Sequence, residues 1–265
     1  MSQESIQPKK LFQKLELLDT EKHKNLRWRC LGASCPQSCC YVPVRSSVGF
    51  SEMEYLSLYF PIMFPLVKYS EDQPPKFEMN LFFKLDIDTQ GHCVYLKEGE
   101  GCMLGEDKPM ACKQYPFSPT KDLSGRTLVQ IDLTCPGWSE TEGELVLFSK
   151  TDMNPYFMQG FVQQGINFLQ DYEQTRIFVE TLTNYDLIKP GTYTYRGITV
   201  SLNAVDEKAL FELPPSVLKD LETRGYLRAI YYHLHSIQNY RKLIDAYLLR
   251  SQQPNTGITP TAFTL

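Results

Sequence analysis

Eight cysteines carry the first chemical signal in this 265-residue chain: Cys30, Cys35, Cys39, Cys40, Cys93, Cys102, Cys112 and Cys135. All lie before residue 136, and residues 136–265 contain none. The start, MSQESIQPKKLFQKLELLDTEKHK, has no apolar core of a secretory signal, which predicts a cytoplasmic chain with reduced thiols. Clustered thiolates in such a chain read as ligands for zinc or an iron–sulfur cluster. Two other readings stay open: redox-active or disulfide-bonded thiols, and cysteines buried as small hydrophobes.

The spacing narrows the chemistry. The opening is Cys30-LGAS-Cys35-PQS-Cys39-Cys40, and Cys93, Cys102, Cys112 and Cys135 sit on separate strand-like or turn-like segments. Neighbouring residues of an extended backbone face opposite ways, so Cys39 and Cys40 are not expected to ligate one ion together. A C-x3-C-x2-C radical pattern would need a cysteine at Val42, and no C-x2-C pair exists. Glycine-rich phosphate cradles and H-E-x-x-H are absent. His92, beside Cys93, is the one histidine placed to assist a metal. His233 and His235 are two apart on a helix and do not share a face, which predicts one packing and one surface residue.

The elements that must position these residues fall in two regions. Residues 1–29 read as a polar arm. Ser51 and Glu54 have capping-box spacing and open a helix that ends before Pro61. After the loop EDQPPKF, Glu78–Asp88 and His92–Leu96 read as strands around an Asp-Thr-Gln-Gly turn, and Thr127–Thr134 alternates as a third. Asn154 and Pro155 start a helix running to about Leu182, weakened by Gly160 and Gly165 but open there to close packing. Tyr193–Leu202 reads as a hairpin turning at Arg196-Gly197. Ser216–Arg224 is a helix stopped by Gly225. A long helix from Tyr226 to about Leu249 carries a stripe of Leu227, Ile230, Leu234, Ile237, Leu243 and Leu248. The tail from residue 253 reads as mobile.

Composition sets outer bounds. Hydrophobic residues make up 42% and charged residues 22%, which suits a folded globular protein. Net charge is −4 without a basic stripe, so nucleic acid is not an expected partner. The most apolar stretch, Leu56 to Tyr69, is broken by Pro61 and Pro65, so no membrane span is expected.

Two resemblances add to this. The cysteine series, with Cys93-Val-Tyr-Leu, Lys108-Pro109, Tyr115-Pro116-Phe117 and Cys135-Pro-Gly, resembles the CxxCxxCC family of zinc- or iron-chelating bacterial proteins over about residues 28–140. Its C-x4-C-x3-CC opening is similar to flagellin lysine N-methylases. That implies a bound metal and S-adenosylmethionine-dependent methylation of protein lysines. The C-terminal stretch from Gly197-Ile-Thr-Val through Val205-Asp206-Glu207-Lys208 and His233-Leu234 to Leu243 resembles the end of SapC-family proteins, which implies a binding or scaffold module.

The expectation is an α+β protein: an irregular cysteine-rich core with a few short strands (residues 1–148), packed on a mainly helical region (149–252), then a tail (253–265). Its expected function is that of a cytoplasmic bacterial metalloprotein, holding iron–sulfur or zinc on the eight cysteines and modifying a protein substrate. The alternative is a non-catalytic metal-binding module whose C-terminal helices bind a protein partner.

Overall fold

Thr127–Asp132, expected to alternate, forms a strand that is exposed at Thr127 and buried on both faces at Ile131 and Asp132. It is the centre of a three-stranded antiparallel sheet between Leu15–Leu17 and Phe117–Lys121. The structure is a computed structural model describing residues 15–31, 45–64, 77–80, 92–97 and 100–251. The Cys35, Cys39 and Cys40 segment, the loop EDQPPK, most of the expected Glu78–Asp88 strand, the Asp-Thr-Gln-Gly turn and the tail from residue 253 lie outside the described residues. The fold is α+β, and it divides into two units: Met1–Pro43 with Gln90–Leu169, and Val44–Thr89 with Gln170–Leu265. No described helix is long and apolar enough to cross a membrane.

In the first unit the stretch read as a polar arm instead supplies two strands. Besides Leu15–Leu17, Arg27–Trp28 pairs with both Trp138–Ser139 and Leu145–Val146, with Trp28 opposite Trp138 in one ladder and Leu145 in the other. These partners are more than a hundred residues away, beyond the reach of local pattern. The Trp28 indole anchors an aromatic core. Phe161 and Phe157 meet it edge-on at 5.3 and 5.8 Å, and fully buried Phe117 lies 5.8 Å from both Trp138 and Phe157. Such pairs add roughly 0.5–1.5 kcal/mol each beyond area burial.

The helix entering this core starts as its sequence dictates. Asn154 Oδ1 accepts the Tyr156 N–H at 3.0 Å, and Pro155 sits at the first helical position. Met158–Val162 then widens to a π turn before the α-helix Gln163–Asn184. Asn154→Ala should cost about 1 kcal/mol. Urea unfolding followed by the fluorescence of Trp28 and Trp138 would measure it.

In the second unit the helix expected from Ser51 is capped two residues earlier, at Gly49. The Glu52 carboxylate accepts the Gly49 N–H at 3.0 Å, and the helix comprises a 3-10 turn, Phe50–Glu52, followed by Met53–Leu56. Ser51 instead donates from both its N–H and its hydroxyl to Asp171, whose burial raises its carboxyl pKa. Strand Arg45–Val48 pairs with Phe77–Asn80, which pairs in turn with Ile62–Met63.

The long C-terminal helix is in three pieces: Tyr226–Ser236, a 3-10 turn Ile237–Asn239, and Tyr240–Ser251. At the turn, the Asn239 side-chain amide donates to the carbonyls of Ser57 and Phe60. Its buried face is Tyr226, Ala229, Ile230, His233, Ser236, Tyr240, Leu243, Ile244 and Tyr247. Of the expected stripe, Ile230 and Leu243 are buried. His233 is buried and His235 exposed, as their spacing required.

Candidate functional site

Of the eight expected ligands, Cys30, Cys93, Cys102, Cys112 and Cys135 are among the described residues, and Cys35, Cys39 and Cys40 are not. All five described cysteines fall in the first unit. Cys30 is exposed and Cys93 buried, while Cys102, Cys112 and Cys135 are half-buried. Each sits in its own local structure. Cys93 precedes the small Leu96–Lys97 and Gly101–Cys102 hairpin, Cys112 lies in the single turn Met110–Lys113, and Cys135 follows strand Thr127–Asp132. The Arg29 N–H donates to the Gly137 carbonyl at 3.0 Å, so the segments carrying Cys30 and Cys135 run side by side. His92 Nδ1 donates to the Cys93 carbonyl at 2.9 Å.

Among the described residues, however, no three His, Cys, Asp or Glu side chains converge as a metal ion requires. The expectation of a metal-binding, iron–sulfur or zinc protein with lysine N-methylase-like activity, and its non-catalytic metal-binding alternative, are therefore corrected. Clustering of thiols in one part of a chain does not fix the directions in which their sulfurs point.

A different constellation is assembled in the second unit. Strands Ile188–Tyr195 and Ile198–Val205 pair antiparallel along their whole length, from Ile188 opposite Val205 to Tyr195 opposite Ile198. Arg196 (φ 49°) and Gly197 (φ 78°) form the two-residue turn, both in the left-handed region that matches strand twist. Val200, Leu202 and Val205 are buried. Tyr193 and Tyr195, two residues apart, share a face of the hairpin.

The helix Tyr240–Ser251 fixes that face. The buried Tyr240 ring stacks on Tyr193 with centroids 5.7 Å apart and donates its hydroxyl to the Met63 sulfur. One turn apart on this helix, Arg241 and Asp245 reach the hairpin together. Arg241 Nε donates to the Tyr193 hydroxyl at 3.2 Å, and Arg196 Nε lies 3.3 Å from Asp245 Oδ1. Both guanidiniums also sit over the Tyr195 ring, their central carbons 5.5 and 5.9 Å from its centroid. Each such cation–π contact contributes about 0.5–1 kcal/mol at an exposed site.

His233 anchors the base of the hairpin. Its Nδ1–H donates to the Ile62 carbonyl at 2.7 Å, and its Nε2 accepts the Val205 N–H at 3.3 Å. Ser236 completes the joint by accepting the Ile62 N–H at 2.9 Å.

The sequence reading located this hairpin and its turn but gave Tyr193, Tyr195, Arg196, Arg241 and Asp245 no role. The available signal was a pair of tyrosines at strand spacing beside an Arg-Gly turn, with Arg241 and Asp245 at helical spacing further on.

The described residues thus define an α+β protein whose candidate site is a tyrosine–arginine cluster where a hairpin meets the helix Tyr240–Ser251. The family model of SapC matches residues 18–243, and the chain belongs to the SapC family. The match takes in the cysteine segments as well as the C-terminal stretch. No curated protein and no solved structure shows significant similarity.

Proposed function

We propose that this SapC-family chain works by binding another protein, and that the hairpin tip with Arg241 is its contact surface. One observation carries the reading: two arginines held over a single tyrosine ring at the exposed end of a hairpin. Tyrosine and arginine, with tryptophan, are enriched among the few residues that dominate binding at protein interfaces. Here the Tyr193 hydroxyl, the Tyr195 ring and Asp245 already restrain both side chains, which lowers the entropy lost on docking. The buried Glu52, Asp132 and His233, by contrast, each hold backbone groups in place.

A photo-crosslinking residue placed at exposed Thr194 should capture a discrete protein in the native cells, and one at exposed Gln174 should not. The Arg196→Asn/Arg241→Gln double variant should lose the adduct. Asparagine tolerates the left-handed turn position and glutamine keeps most of the Arg241 stem. Equal labelling from both positions, or none from Thr194, would overturn the proposal.

A further inference from the structure

We infer that the hairpin tip takes an acidic peptide segment, its carboxylates seated on the terminal nitrogens of Arg196 and Arg241; this rests on the protein-binding reading above. Each guanidinium is engaged on its Nε side, Arg241 by the Tyr193 hydroxyl and Arg196 by Asp245. Among the described residues, the terminal nitrogens of both have no hydrogen-bond partner. A guanidinium fixed at Nε and open at its end presents a planar fork that matches a carboxylate.

Charge selects the occupant. Asp245 already places one carboxylate against Arg196, and its side chain is 40% exposed. Two carboxylates spread along a peptide place one of their charges away from Asp245, whereas a phosphate dianion brings both charges to one point beside it. A long polyanion finds no basic track on a chain of net charge −4. The two cations flank one ring, so they are offered as a pair. Carboxylates two residues apart on an extended peptide lie on one face, about 7 Å from each other, and address such a pair.

The test is fluorescence anisotropy with the full chain and a labelled peptide of alternating Glu and Ser. Parallel arms use Lys-Ser and phosphoserine-Ser peptides of equal length. Binding of the Glu peptide should weaken as salt rises from about 20 to 200 mM. It should fall about tenfold or more in the Arg196→Asn/Arg241→Gln variant, and about as much in either single variant. Unchanged circular dichroism and melting temperature of the variants would place the loss at the site. No binding of the Glu peptide, equal binding by wild type and double variant, or tighter binding of the phosphoserine peptide would each overturn the inference. Should Thr194 capture a protein while the Glu peptide fails, the acidic assignment falls and the protein-binding reading stands. Should Thr194 capture nothing, that reading falls first.

Discussion

Acidification from pH 6.5 to about pH 4 should remove roughly 3 kcal/mol of stability through His233 alone. This ring is fully buried, and burial pushes its pKa down to about 4, with the hydrogen bond to the Ile62 carbonyl opposing that shift. Above pH 6.5 the imidazole is neutral in both folded and unfolded chains, and its contribution is complete. Between pH 6.5 and 4 the unfolded chain takes up a proton that the folded chain refuses, so the equilibrium moves toward unfolding. Below about pH 4 the folded ring protonates as well, and Nε2 can no longer accept the Val205 N–H. Urea titrations at stepped pH, followed by circular dichroism because both tryptophans lie in the other unit, should show this slope. His233→Gln, which retains a donor and an acceptor, should flatten it. His233→Leu should flatten it too, but at a cost of about 1–3 kcal/mol at pH 7, because the Val205 N–H is left unpaired while the Ile62 carbonyl keeps only the longer bond from the Ser236 hydroxyl. Because Val205 ends the second hairpin strand, its amide should exchange faster in the leucine variant. Equal pH slopes in wild type and the Gln variant would show that other groups control acid unfolding.

What was legible in the sequence was local. The Asn154 cap, the Arg196-Gly197 turn, the stop at Gly225 and the split between His233 and His235 each follow from a few neighbouring residues. What escaped depended on distant partners. Leu15–Leu17 and Arg27–Trp28 are too short to carry a pattern inside a charged stretch, and become strands only when residues beyond 120 lie beside them. The C-terminal helix is interrupted where Asn239 answers carbonyls at Ser57 and Phe60, which helical periodicity cannot report. Its buried face runs through Tyr226, Tyr240 and Tyr247, which lie outside the expected aliphatic stripe. The cysteines show the same limit for a site, since convergence is a property of side-chain directions in three dimensions.

Gly165 and Gly160, five residues apart, should respond to alanine with opposite signs. Both weaken a helix, so alanine brings each position about 0.5–1 kcal/mol of backbone preference. Around Gly160 nothing lies within 4 Å of the added Cβ, and that gain should appear undiminished. At Gly165 the new Cβ would stand 2.4 Å from Pro119 Cδ and 2.5 Å from both Pro119 Cγ and Gln114 Oε1. Gln114 can swing aside. Pro119 cannot: its ring is fused to a backbone paired opposite Val129 in the middle of Phe117–Lys121. The helix must therefore retreat from the sheet, loosening contacts with Phe161 and Val162 beside the Phe117 and Ile131 core. Overpacking of this kind costs about 1–3 kcal/mol, which outweighs the helical gain. Gly165→Ala should lower the urea midpoint read by Trp28 and Trp138 fluorescence, and Gly165→Val should lower it further. Gly160→Ala should raise the midpoint. If Gly165→Ala proves as stable as Gly160→Ala, the helix does not pack against Pro119 at this distance.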